Sequence, residues 1–273
     1  MKYLTDREIH VAGIQRTGQH AVTSWLVGHF EDVCFKNSMS QRGERDSKAG
    51  SLKPPWWYFK PSEREQWIED ANPNIQQGMD AIMLGTEFTL PGIGVNPLMP
   101  QQRDELAKLS SCDKLSERSD CVVILRNPYN HYASVLNWNR NKRLRSPQGF
   151  SNVWIALAKE AGGETDYLSN EYLPITHERI FLLYDRWFES QEYRQGISER
   201  LGLKFNDRRI NTVMRIGVSR QYGSSFDGMQ YQKSGQKMDV LNRWKQVEDD
   251  DRFQELLRND ELRHYASQNG FEI

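Results

Sequence analysis

Ile9-His10-Val11-Ala12-Gly13-Ile14-Gln15-Arg16-Thr17-Gly18-Gln19-His20 reads as a short apolar strand running into a glycine-bounded loop. The spacing of Ala21, Trp25, Leu26 and Phe30 predicts a helix directly behind it, over Gly18–Phe30. A helix start leaves main-chain N–H groups without intrahelical acceptors and presents the positive end of the helix dipole. Strand, loop and helix in this order therefore make a seat for an anion. Gly13 and Gly18 have the spacing of a Walker A loop, but Gln19 and His20 stand where that motif carries its lysine and its magnesium-holding hydroxyl. The loop is equipped to hold a phosphate and poorly equipped to hydrolyse ATP.

Outward from this stretch, four further apolar runs read as buried strands: Val33–Phe35, Ala81–Leu84, Cys121–Leu125 and Ile180–Leu183. Helical patterns at Glu63–Asp70, Asn127–Asn139 and Ser190–Leu201 separate them, and beyond Gly202 the chain reads as mainly helical, near Asp249–Arg258 and Glu261–Gln268. Apolar strands alternating with helices predict an α/β protein: a central parallel sheet of about five strands with helices on both faces. No repeat or long linker divides the chain, so residues 1–273 are expected to form a single domain. Residues 37–61 are the least regular stretch, ending in Pro54-Pro55-Trp56-Trp57-Tyr58. That stretch reads as an irregular loop whose aromatics either dock on the core or wall an acceptor site.

A second anion-binding signal lies at Cys121-Val122-Val123-Ile124-Leu125-Arg126-Asn127-Pro128. A strand ends in arginine, and proline then opens a helix at the position where its missing N–H costs nothing. Ser134 follows on that helix, eight residues after Arg126. A guanidinium fork and a hydroxyl converging there would suit a phosphate monoester.

Taken together, the two segments resemble the PAPS-dependent sulfotransferases, which move the sulfuryl group of 3′-phosphoadenosine 5′-phosphosulfate to a hydroxyl or amine. Arg16-Thr17-Gly18-Gln19-His20 resembles their 5′-phosphosulfate loop, [K/R]-[S/T]-G-[T/S/N]-x, with Gln19 in place of the fourth position's small polar residue. Arg126-Asn127-Pro128 and Ser134 match every fixed position of R-[D/N]-P-x-x-x-x-x-S, the 3′-phosphate motif. Ile180–Asp185 with Leu201-Gly202-Leu203 resembles a late strand, Y-[E/D] turn and helix end of that family. Ser224-Ser225-Phe226, Lys233-Ser234-Gly235 and Asn242-Arg243-Trp244-Lys245 resemble its nucleotide-covering loop, with extra residues between the parts, which makes residues 219–248 a candidate lid.

The resemblance implies a P-loop-like fold, PAPS as donor and PAP as product, and no metal. It implies that Arg16 is the electrophilic stabiliser of the leaving group, with Thr17, Gly18, Gln19, His20 and Ala21 around the phosphosulfate. Arg126, Ser134, Lys233 and Arg243 would complete the nucleotide site. A general base must also take the acceptor's proton. Glu87, which ends the run Ala81-Ile82-Met83-Leu84-Gly85-Thr86-Glu87, is the first candidate, because its strand should deliver it to the same sheet edge as Arg16 and Arg126. His20 is the second, and Glu44 and His131 follow. Two other readings share the architecture: a P-loop nucleotide kinase or NTPase, and an inactive relative that binds PAP or PAPS without transfer.

Composition narrows the partners. With 37% hydrophobic and 27% charged residues and a net charge of −1, the 273-residue chain has no bulk drive toward nucleic acid or anionic membranes. No apolar run reaches the length of a membrane span, so no segment is expected to cross a bilayer. The partner expected from the resemblance is a small-molecule or glycan acceptor, whether saccharide, lipid or small metabolite. Arg140, Lys142, Arg143 and Arg145 form a basic patch that reads as a solvated helix end or as an attractor of an anionic acceptor. Asp249-Asp250-Asp251 reads as a helix start. Cys34, Cys112 and Cys121 are too few for a disulfide framework or a zinc site, and a reducing, cytoplasmic home follows as the expectation.

Overall fold

β1 (Tyr3–Ile14) is the axis of the sheet, flanked on one side by β5 (Met79–Phe88) and on the other by β6 (Lys114–Leu125), both parallel to it. The computed structural model describes residues 3–31, 33–36, 56–59, 68–70, 79–88, 114–137, 144–165, 178–213, 224 and 226–272. Beyond β5 lie β2 (Val33–Lys36), β3 (Trp56–Phe59) and β4 (Ile68–Asp70), and beyond β6 lies β7 (Glu178–Leu183). The order across the sheet is β4-β3-β2-β5-β1-β6-β7. β2 runs parallel to β5 and β7 parallel to β6, whereas β3 and β4 are antiparallel additions at one edge.

Alternation along β1 explains the layers. Ile9 and Val11 point into one core with Val122, Ile124, Ile180 and Leu182, under α1 (Gln19–Val27), α4 (Tyr184–Glu189) and α5 (Gln191–Arg200). Ala12 and Ile14 point into the other with Cys121, Val123 and Leu125. That second core lies under α2 (Pro128–Leu136), α3 (Pro147–Ala161), α6 (Asp251–Leu257) and α7 (Asp260–Gln268). Strands covered on both faces are apolar where they cross the core, which is why the C-terminal halves of β1 and β6 read as hydrophobic runs; their N-terminal halves instead bury polar residues such as Glu8, His10 and Asp120. Among the described residues no helix is long and apolar enough to cross a membrane.

This topology decides where a ligand can sit. From β1 the chain leaves through α1 on one face toward β2; from β6 it leaves through α2 and α3 on the other face toward β7. The adjacent C-terminal ends of β1 and β6, with Gly13 beside Ile124, therefore lie where the winding direction reverses, and such a point opens a crevice. The end of β5 meets β1 in the same row, with Glu87 paired to Gly13.

The sequence expectation needs correction in four places. The sheet has seven strands rather than about five and is mixed rather than wholly parallel. Trp56–Phe59, expected in an irregular loop, is strand β3; a run of four aromatics suits a pleated surface. Ile68–Asp70, expected at the end of a helix, is strand β4 and pairs Glu69 with Trp57, while residues 63–67 lie outside the described residues. The part after Gly202 is less helical than expected: from Leu203 to Ser234 the described residues form turns and extended backbone. Short 3-10 turns at Gly235–Lys237 and Arg243–Gln246 then precede α6 and α7.

Candidate functional site

The loop between β1 and α1 takes its shape from two residues with left-handed backbone, Arg16 at φ 75° and Gly18 at φ 95°. Between them, the N–H of Thr17 closes a turn on the carbonyl of Ile14 at 3.1 Å. Gly18 is required twice over. Its φ is one that side chains resist, and a Cβ there would meet the Tyr184 ring at 2.3 Å. Gly13 is also crowded, since a Cβ would fall 2.8 Å from the Thr17 hydroxyl. That hydroxyl is buried and has no hydrogen-bond partner among the described residues; in the first turn of α1 behind it the Ala21 N–H bonds the Gly18 carbonyl at 2.9 Å, while the N–H groups of Gln19 and His20 have no intrahelical acceptor. A loop that brings unsatisfied donors and a dipole end to one point is built to hold an anion.

Gln19 occupies the position of a P-loop lysine but is turned away from that role. Its side-chain amide donates to the carbonyl of Val11 at 2.6 Å, inside the strand–helix junction. His20 and Ala21 sit half-buried in the wall of the crevice.

Arg126 ends β6 with only 1% of its surface exposed, so its cation must be held by hydrogen bonds. One terminal nitrogen, Nη1, donates to the Ser134 hydroxyl at 3.1 Å and to the Arg16 carbonyl at 3.3 Å; Nη2 donates to the Val240 carbonyl at 2.8 Å. The guanidinium lies 5.0 Å from the centroid of the Tyr184 ring, and its buried Nε has no partner among the described residues. Burial pulls its pKa down to about 10; the nearby cations of Arg243 and Arg16 push the same way, against Tyr184 and Asp185. Among the described residues no carboxylate is hydrogen-bonded to Arg126, so an incoming anion would find a desolvated, incompletely satisfied cation.

The frame around Arg126 is dense. Asn127 caps α2 by accepting from the N–H groups of Tyr129 (3.0 Å) and Asn130 (3.3 Å), and Pro128 supplies the first helical position. The Asn127 N–H donates to Asp185 at 2.8 Å, and burial raises that carboxyl above the usual range. The Trp154 indole donates to the Arg126 carbonyl at 2.8 Å. His131, a lesser candidate base, is wholly buried. Its Nε2 faces the Gln15 carbonyl at 2.8 Å, which fixes the tautomer with Nε2 protonated, and burial pulls its pKa down to about 3. It ties α2 to the loop and does not line the crevice.

The loop and the Arg126 arm line one open cavity of about 890 Å³. Arg16, Gly18, His20, Arg126, Ser134 and Arg243 supply its polar wall; Tyr184, Trp187 and Phe188 of α4, with Met238 and Val240, supply an apolar one. Three guanidinium groups beside an aromatic face can bind a polyanion that carries a planar ring. Sequence reading passed over that aromatic face, although Tyr184-Asp185-Arg186-Trp187-Phe188 directly after a strand end was the available signal. Lys233 is exposed and does not line the cavity, whereas Gly235, two residues on, does.

Glu87 is placed by backbone register alone, opposite Gly13. Glu44, Cys112, Arg140, Lys142, Arg143 and residues 219–223 and 225 of the candidate lid lie outside the described residues. Arg145 is half-buried, and Cys34 lies on β2. Cys121 is buried, with its thiol pushed up to about 12, and is inert at neutral pH. Among the described residues no three His, Cys, Asp or Glu side chains cluster as metal ligands.

No protein-family model and no curated protein matches the chain. Among solved structures, the chain is similar to a sulfotransferase domain from the curacin biosynthetic pathway. The identity is 14% over 98% of this chain and 99% of that one, with a TM-score of 0.46.

Proposed function

We propose that the protein is a sulfotransferase that moves the sulfuryl group of PAPS to a hydroxyl or amine of a small-molecule or glycan acceptor. One observation carries this reading: the loop at Arg16–Ala21 and the Arg126–Ser134 pair, each resembling one phosphate motif, line a single cavity at adjacent strand ends. The residues fit such a ligand. Arg126 Nε is a buried donor without a partner among the described residues, and Arg16, Arg126 and Arg243 bring three cations to one cavity. Bound PAPS would supply a sulfuryl group already activated as a mixed anhydride.

The protein's share is then alignment and charge. Loop N–H groups and Arg16 hold the 5′ end, and Arg16 neutralises the charge that develops on the departing phosphate oxygen. Arg126, Ser134 and Arg243 hold the 3′-phosphate, and Tyr184, Trp187 and Phe188 offer an apolar face to the base. Glu87, at the end of β5, takes the acceptor's proton, with His20 as the other candidate. The kinase alternative fits less well, because Gln19 stands where a P-loop needs its lysine and spends its amide on Val11.

Thermal unfolding with adenosine 3′,5′-bisphosphate and with ATP·Mg²⁺ separates these readings, since a ligand that binds only the folded state raises the melting temperature. Stabilisation by the bisphosphate and not by ATP·Mg²⁺ is expected; the opposite result would sink the proposal. Transfer of labelled sulfate from PAPS across a panel of glycans, lipids and small alcohols then distinguishes an active enzyme from a binding relative.

A further inference from the structure

Arg243 reaches the cavity from a segment that begins with a tight turn, in which Ser224 and Gly228 exchange backbone hydrogen bonds of 2.9 Å in both directions. Its side chain is 8% exposed, lines the cavity, and packs with Cζ 4.7 Å from the centroid of the Phe226 ring. Its Nη2 donates to the Ser224 hydroxyl at 2.7 Å and to the Asp227 carboxylate at 2.9 Å. The Ser224 hydroxyl donates to the same carboxylate at 2.8 Å and accepts from the N–H groups of Phe226 and Asp227 at 3.2 Å. The Nε and Nη1 donors of Arg243 have no acceptor among the described residues. Arg243 also lies near enough to Arg126 to depress that residue's pKa, so the two cations repel each other across the cavity.

A guanidinium is planar and rigid, so anchoring one nitrogen fixes the direction of the other two. Without an anchor, a long side chain repelled by Arg126 would swing away, and a ligand would have to immobilise it on binding. The geometry points to Asp227, which does not itself line the cavity, as a positioning residue for Arg243. With Ser224 it clamps one edge of the guanidinium and aims the remaining donors at the anion held by Arg126. In this way Asp227 sets the preference for a nucleotide bearing a 3′-phosphate over one lacking it. This rests on the nucleotide-binding reading above and adds a residue that touches neither the nucleotide nor the reacting atoms.

Calorimetric titration of adenosine 3′,5′-bisphosphate and of adenosine 5′-monophosphate tests it in wild type, Asp227→Ala, Asp227→Asn, Arg243→Ala and the double alanine variant. Asp227→Ala should weaken the bisphosphate about tenfold, the loss of one charge-assisted contact, and leave the monophosphate within about twofold. Asp227→Asn keeps an acceptor for Nη2 and should recover most of that loss, and the double variant should bind no more weakly than Arg243→Ala. In transfer assays Asp227→Ala should raise the KM for PAPS and leave kcat near wild type. Unchanged or tighter bisphosphate binding in Asp227→Ala, equal losses for both nucleotides, additive losses in the double variant, or an Asn variant as weak as the Ala variant would each overturn the positioning role. A wild-type protein that binds no bisphosphate overturns the nucleotide reading itself, and this inference with it.

Discussion

The Arg16–Ala21 loop meets the cavity with half-buried residues, Arg16, Gly18, His20 and Ala21, whereas Arg126 and Ser134, which meet it from β6 and α2, are each only 1% exposed. The loop is a contiguous stretch shaped by two left-handed residues and a glycine pressed against Tyr184. The arm is assembled from afar: Arg126 is held by the Arg16 and Val240 carbonyls and by Ser134, and its own carbonyl by Trp154. Main-chain donors carry partial charge and are desolvated cheaply, so the loop can stay partly open. A guanidinium taken out of water carries a standing cost that only a bound anion offsets fully. The loop is thus suited to the group that changes during a reaction and the arm to a group that is merely gripped.

That division can be broken or sharpened by experiment. The largest effect is expected from Glu87→Gln, which should lower kcat by roughly 10²–10⁴-fold while His20→Asn lowers it less than about tenfold. The reverse ranking would move proton removal into the loop. Arg16→Ala should lower kcat by about 10²–10³-fold, with the fold kept. Wild-type turnover in that variant would strip the loop of its chemical role. Arg126→Lys retains the charge but not the fork, and should weaken bisphosphate binding by about 10–100-fold while sparing adenosine 5′-monophosphate. Equal losses for the two nucleotides would show that the arm supports the loop rather than gripping a second anion.

The smallest effect is on stability and concerns the tie between the two regions. His131 stays neutral in the folded protein down to about pH 3, whereas the unfolded chain protonates it near its ordinary value of 6.5. The unfolded chain therefore binds more protons within that window. Stability falls as pH drops from 6.5, by about 1.4 kcal/mol per unit from this group. His131→Gln can still donate to the Gln15 carbonyl and should flatten the slope between pH 6.5 and 5 in urea unfolding. An unchanged slope would place the acid sensitivity elsewhere.

Both strand–turn–helix segments that line the cavity were legible in the sequence because each is a local pattern: apolar strand, turn residues, helix start. Pro128 after Arg126-Asn127 marked the start of α2 to the residue. The edge of the sheet was not legible. Trp56–Phe59 follows two prolines and reads as a loop, and the charges of Glu63-Arg64-Glu65 suggest a helix that Ile68–Asp70 does not continue. Antiparallel edge pairing depends on a partner elsewhere in the chain, and local periodicity does not report it. The same limit hid the destination of the Gln19 amide, the burial of His131 and the clamp on Arg243, each of which joins residues that the sequence keeps apart or gives no reason to pair.

Asn127, which caps α2, also donates through its side-chain amide to the carbonyl of Glu272 at 2.8 Å, while Phe271 packs at 6.1 Å on the Trp154 ring. In a chain made from its N-terminus onward, the loop at Arg16 gains its last described neighbours with Arg126, His131 and Tyr184. The arm cannot be finished until residue 272 has emerged. Newly made protein should therefore pass through a stage in which the contacts around the loop are complete and those around the start of α2 are not.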